Sequence, residues 1–129
     1  MTSSEIFLYL VLAVIAGLGI RRLILTLKIR HYSPSEVAKK LSSKEALVLL
    51  DVRTNSERRA GGLRSSIHIP LHELAGRMNE LEVHKSKEII VYCQSGNRSL
   101  SAAAKLLNKG FTAANLKGGI AEWNFRNRS

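Results

Sequence analysis

From Ile6 to Ile20 no charged side chain interrupts a run of apolar residues. At ~1.5 Å per residue a helix over this run covers roughly 22 Å, against a hydrocarbon core about 30 Å thick. Arg21 and Arg22 break the pattern, and Leu23, Ile24, Leu25 and Leu27 resume it. Long basic side chains carry their charge out to the headgroups, so Ile6 to about Leu27 reads as one transmembrane helix with a wet end. A helix lying flat on a membrane needs a polar face, and residues 6–20 have none.

Beyond Arg30 the pattern shortens and begins to alternate. Ser33-Pro34-Ser35-Glu36 predicts a helix start, with Ser as N-cap, Pro at the first position and Glu at the third, running to about Leu41. Ala46–Val52 and Glu88–Tyr92 are short apolar runs suited to strands buried on both faces. Between them Thr54 and Glu57 open a helix that stops at Gly61-Gly62, Ile67–Pro70 is extended, and Leu71–Leu81 is helical. Ser99–Lys109 is an Ala- and Leu-rich helix closed by Gly110, Ala113–Leu116 is a third strand, and Gly118-Gly119 turn the chain into a short helix carrying Trp123. Helices alternating with buried strands predict an α/β domain with a mainly parallel central sheet flanked by helices. In such sheets ligands bind beyond the carboxyl ends of the strands. The chain thus divides into an N-terminal transmembrane anchor with a basic juxtamembrane segment, residues 1–30, and one domain, residues 31–129.

The formal charge of +10 refines this picture. Arg21, Arg22, Lys28 and Arg30 follow the apolar run, which predicts a single-pass protein of the cell (inner) membrane with its C-terminal domain cytoplasmic. A soluble core helix is possible by length alone, and a cleaved signal peptide is a further alternative. It wants positive charge before the run, where only Glu5 stands, although Gly17 and Gly19 form a small-x-small pair. The other basic residues are spread without aromatic platforms, so no nucleic acid partner is expected. The four histidines include only one pair at helix spacing, His68 and His72, and Pro70 lies between them, so no metal site is expected.

The one cysteine excludes an intramolecular disulfide. A lone cysteine is ordinarily a small buried hydrophobe. Cys93, however, directly follows a buried strand and opens the loop Cys93-Gln94-Ser95-Gly96-Asn97-Arg98-Ser99, which leads into a helix. A helix N-terminus presents unpaired N–H groups, Gly96 allows a tight turn, and Arg98 adds a fixed positive charge. All three favour a thiolate at Cys93 and an anion bound above it.

At this point a family resemblance becomes visible. The stretch from His84 to Trp123 resembles the second half of a single-domain rhodanese: a strand, a loop of the form C-x-x-G-x-R-S, a helix, Gly-Phe, then Gly-Gly-x-x-x-Trp. Leu50-Asp51-Val52-Arg53, Glu57 and Ile67-His68-Ile69-Pro70 are similar to the family's first half. Among the departures from the pattern, Gly62 stands where the family has His, Ser65 where it has Gly, and His68 where Asn is common. The resemblance covers about residues 33–126 and implies the rhodanese fold and a rhodanese-type thiosulfate sulfurtransferase. The Cys93 thiolate would take the outer sulfur of a small donor, thiosulfate or a persulfide, and hold it as a persulfide. A thiol or protein sulfur acceptor would then remove it, with no cofactor. Gln94, Ser95, Gly96, Asn97, Arg98 and Ser99 would bind the substrate. Asp51 and Arg53 are expected to fix loops by ion pairing, and Trp123 to lie in the core. Two other functions stay open: a non-turnover persulfide carrier or docking module at the membrane, and a Cys-based phosphatase or arsenate reductase, whose related loops have five residues rather than four between Cys and Arg.

Overall fold

The computed structural model describes residues 1–126, apart from the side chains of Leu25 and Thr26. The last three residues of the expected domain 31–129 lie outside the described residues. Among the described residues five strands form one parallel sheet: β1 (Arg30–Tyr32), β2 (Leu47–Asp51), β3 (Ile67–His68), β4 (Glu88–Tyr92) and β5 (Thr112–Leu116), in the spatial order β1-β5-β4-β2-β3. Six described α-helices accompany them: α1 (Ser3–Lys28), α2 (Pro34–Ser42), α3 (Asn55–Arg59), α4 (Leu71–Arg77), α5 (Asn97–Asn108) and α6 (Gly119–Arg126).

Strand periodicity divides the core into two halves. Leu50, Val52, Ile89 and Val91 point to one face and pack with Leu74, Ala102, Ala103 and Leu106 of α4 and α5. Leu49, Ile90 and Tyr92 point to the other and meet Val37 of α2, Leu63 and Ile120 of α6. β4, fourth in sequence, is central in space and its last four residues are buried. Cys93 is therefore delivered from the most enclosed strand of the sheet.

Two helix starts follow the sequence reading in detail. Ser33 and Glu36 form a reciprocal capping box on α2, and Thr54 and Glu57 form another on α3. Other expectations need correction. The helix expected over Leu71–Leu81 is α-helical only to Arg77 and continues as a 3-10 helical segment, Met78–His84. α3 ends at Arg59, short of Gly62. α5 begins at Asn97 rather than Ser99, with Gly96 at its N-cap. Asn97, Arg98 and Ser99 are thus first-turn residues of a helix, not loop residues. β1 was not anticipated: its three residues, Arg-His-Tyr, have no apolar run to betray them, and they are strand only because β5 offers a free edge.

The described apolar side chains of α1 are exposed, and an 18-residue window within its Ser3–Ile24 stretch has a mean hydropathy of 2.0. A membrane anchor and a signal sequence both have these features. α1 connects to the sheet through Ile29, which is buried in the core immediately before β1.

One polar cluster runs through the second core face. The Tyr92 hydroxyl donates to Asp51 Oδ2 at 2.9 Å and accepts from the Leu63 N–H at 3.0 Å. It also meets Ser66 Oγ at 2.9 Å and Arg58 at 3.2 Å. Burial pushes the hydroxyl pKa up, and the Asp51 charge adds to the effect, so the proton stays on Tyr92. Tyr92→Phe is expected to leave the Leu63 N–H without its partner and to lower unfolding stability by about 2 kcal/mol. Urea unfolding of the purified protein in detergent checks this, and an unchanged midpoint would contradict it.

Candidate active site

The carboxyl ends of β2 and β4 lie side by side, Asp51 opposite Tyr92. At the end of β2 the Asp51 carboxylate is fully buried. Such a charge persists only when paired and hydrogen-bonded. Arg53 supplies its backbone N–H at 2.9 Å and Nη2 at 2.8 Å, and Arg58 supplies Nη1 at 3.1 Å. Burial pushes the Asp51 carboxyl up, but the hydrogen bonds from Arg53, Arg58 and Tyr92 prevail and hold it below the usual carboxylate range. The loop-fixing role expected of Asp51 and Arg53 is what the geometry displays. Arg53 also donates to the Gly61 carbonyl and reaches Gln94 Oε1 at 3.4 Å, which links the β2 turn to the cysteine loop.

Cys93 is the first residue after β4 and is 1% exposed. Its sulfur accepts the Gly96 N–H at 3.1 Å and lies 3.4 Å from Ser99 Oγ. Gly96 has φ +108°, the left-handed conformation that lets the chain fold back over the sulfur. Burial pushes the thiol pKa up. The Ser99 side chain, when its hydrogen faces the sulfur, and the N–H groups of Ser99, Gly96 and Ser95 pull it down further, and the net result is below the ordinary value.

The turn before α6 holds this loop from outside. Ile120 N donates to the Cys93 carbonyl at 2.9 Å and Ala121 N to the Gln94 carbonyl at 3.1 Å. These bonds satisfy the first N–H groups of α6 and occupy loop carbonyls, so the sulfur is met by amides. Gly119 allows the approach: a Cβ there would stand 2.4 Å from the Cys93 oxygen. At the turn expected over Gly118-Gly119, this close backbone contact is the reason for the second glycine.

Arg98 is not aimed at the sulfur alone. Its guanidinium makes a two-pronged ion pair with Glu57, Nη1 to Oε1 at 2.6 Å and Nη2 to Oε2 at 2.7 Å. Glu57 thus caps α3 through Thr54 and anchors α5 through Arg98. Only the capping role was readable from sequence, because Arg98 is distant in the chain. Glu57 lines a cleft of about 440 Å³ with Arg53, Gly61, Gly62, Gln94, Ile120 and Asn124. Arg98 lines a second cleft of about 320 Å³ with Thr54, Pro70, Leu71, His72 and Lys105. Of the seven predicted site residues, Cys93, Gly96 and Ser99 meet at the sulfur, Gln94 faces Arg53, and Arg98 faces Glu57.

Residues 33–125 match the rhodanese-like domain family. The chain is 31% identical over 96 residues to a sulfurtransferase of Allochromatium vinosum, covering 74% of this chain and 88% of that protein. The chain belongs to the rhodanese-like domain family. Its rhodanese domain is 38% identical over 85 residues to a putative sulfur carrier protein of Bacillus subtilis, covering 65% of this chain and 45% of that one. Among solved structures, a rhodanese-related protein from Thermoplasma volcanium superposes with a TM-score of 0.70 and 30% identity, over 78% of this chain and 95% of that one. The protein is a rhodanese-like sulfurtransferase with a single cysteine, built on the α/β rhodanese fold.

The departures from the family pattern now have physical accounts. Arg58 fills the space a side chain at Gly62 would need: a Cβ there would stand 2.7 Å from its Nη1. Ser65 keeps the left-handed backbone, φ +63°, that suits the family's glycine. The Nε2 of His68 lies 2.7 Å from the Arg53 carbonyl. Trp123 packs against the second core face but is only partly buried, so its expected core position is a core margin.

The Glu57–Arg98 pair makes folding pH-dependent. The Arg98 guanidinium, aided by Thr54 and opposed by burial, lowers the Glu57 pKa to about 2. A folded-state value below the unfolded one stabilises the protein above the ordinary carboxyl range, and this contribution is lost as pH falls through about 2. Glu57→Gln should reduce stability at neutral pH and flatten the loss on acidification. Urea unfolding at a series of acid pH values reads the slope, and equal slopes in both proteins would contradict the assignment.

Proposed function

We propose that this protein moves sulfane sulfur from a small anionic donor, thiosulfate or a persulfide, to a thiol or protein acceptor, through a persulfide on Cys93. The observation carrying this reading is the Cys93 sulfur under the Gly96 N–H at the start of α5. In the first half-reaction the thiolate attacks the outer sulfur of thiosulfate. A sulfur–sulfur bond forms to Cys93, the donor's sulfur–sulfur bond breaks, and sulfite leaves with the electron pair. In the second, an acceptor nucleophile attacks the terminal sulfur and Cys93 returns as the thiolate. The loop amides favour each anionic state, and the residues Gln94 to Ser99 bind the donor.

The loop length favours sulfur over phosphate or arsenate: four residues between Cys93 and Arg98 leave fewer inward amides for a tetrahedral oxyanion held wholly inside the cradle. A persulfide relay serving one partner is the second reading, favoured by the likeness to the putative sulfur carrier protein. We further propose that α1 anchors the domain at the cytoplasmic face of the cell membrane. Its apolar length and the basic residues at its end support this.

Intact mass spectrometry after thiosulfate treatment should show one added sulfur, removable by cyanide, and none on Cys93→Ser. A Cys93→Ser protein that still gains sulfur would overturn the reading. Arg98→Ala should slow transfer about 10²–10³-fold by freeing the α5 start and removing its charge. Arg98→Lys should recover only part of it, because one ammonium cannot copy the fork. Turnover of a phosphate ester comparable to thiosulfate would contradict the choice of substrate. Membrane fractions should retain the protein through carbonate washing, and protease added outside intact cells should spare the domain. Release by carbonate, or a product clipped near Gly19, would contradict anchoring.

A further inference from the structure

Behind the sulfur lies a line of hydrogen bonds that the transfer reaction does not itself require. Ser99 Oγ is 3.4 Å from Cys93 Sγ and 3.1 Å from the Gly96 carbonyl. It is 2.5 Å from Asn115 Oδ1. A hydroxyl has one hydrogen to give, so three acceptors compete for it. The closest contact, Asn115, takes it. Ser99 and Asn115 are both buried, and Asn115 sits on β5. At the far end of its amide, Asn115 Nδ2 lies 3.2 Å from Nδ1 of His31, on the edge strand β1.

The direction of this line depends on its outer end, where the roles follow the His31 tautomer. An amide side chain has a donating face and an accepting face, and it cannot present the same face to both neighbours. While His31 Nδ1 accepts, Asn115 points its NH2 group at His31 and its oxygen at Ser99. Ser99 then gives its hydrogen to Asn115 and offers only lone pairs to the sulfur. A neutral Cys93 thiol fits that arrangement, donating S–H to Ser99. A thiolate or persulfide anion does not, and depends on the backbone N–H groups. If Asn115 turned over, its NH2 group would donate to Ser99, and the Ser99 hydrogen would be free for the sulfur. An anionic sulfur would take that hydrogen in preference to the neutral Gly96 carbonyl.

We propose that His31 is a positioning residue for the sulfur chemistry: by accepting from Asn115 it fixes the amide so that the Ser99 hydrogen is turned away from Cys93. The consequence is kinetic. A thiolate stripped of one hydrogen bond is the stronger nucleophile, and a persulfide held less tightly gives up its sulfur more readily. β1 also connects directly, through Ile29, to the end of α1, so the anchor and the nucleophile share this strand. The inference rests on Cys93 being the nucleophile, but its test reads the thiol whether or not sulfur is transferred.

The test is the pH profile of Cys93 alkylation by iodoacetamide, on the full chain in detergent. His31 is exposed on an edge strand, so its substitution leaves the core packing in place. The charged groups around the loop, Arg98 with Glu57 and Asp51 with Arg53 and Arg58, are unchanged by it. His31→Phe removes the acceptor and should move the alkylation midpoint down by about half to one pH unit, the worth of one neutral hydrogen bond. His31→Gln, whose side-chain oxygen can accept from Asn115, should restore the wild-type midpoint. An unchanged or raised midpoint in His31→Phe would overturn the proposal. So would an equal shift in both variants, which would trace the effect to β1 packing. If alkylation behaves as expected while no sulfur is transferred, the assigned function fails and the positioning role stands.

Discussion

A carboxylate buried without any exposure, Asp51, organises the end of the sheet that carries the cysteine loop. Losing either cationic partner would leave an uncompensated charge in the core, a change that commonly costs about 3–5 kcal/mol. Arg53, Arg58 and Tyr92 must therefore converge on it. Each brings something with it. Tyr92 fixes the last residue of β4, so the position of Cys93 is set before the loop begins. Arg53 fixes the Gly61 carbonyl and reaches Gln94. Arg58 ties α3 to Ser66 and occupies the space beside Gly62.

From that base two further constraints shape the cysteine loop. Glu57 holds the start of α5 through Arg98, and α6 holds the Cys93 and Gln94 carbonyls through its own N–H groups. The loop is gripped from both sides, with its amides facing the sulfur. Preorganisation of this kind needs no rearrangement when charge develops. Arg98 is held by Glu57, while the contacts to the sulfur come from Gly96 and Ser99.

What the sequence made legible follows the range of the interactions. Capping boxes span three residues, and both were readable at Ser33–Glu36 and Thr54–Glu57. The buried strands β2, β4 and β5 announced themselves as apolar runs, and Cys93 was marked by its place between strand and helix. Strand β1 was not legible, because Arg30, His31 and Tyr32 are strand only by pairing with β5. The second role of Glu57 depends on Arg98, 41 positions away. The contact of Asn115 with Ser99 and His31 likewise joins residues that only the parallel sheet brings together.

A stable anion at Cys93 requires the hydrogen bonds of the loop to outweigh burial. An ultraviolet titration of the thiolate, as the difference between the wild-type protein and Cys93→Ser, measures this directly in the folded and the urea-unfolded states. The folded midpoint should lie below the unfolded one, which is expected near the ~8.5 of a free cysteine. A folded midpoint at or above the unfolded value would mean that burial prevails and that the loop does not stabilise an anion.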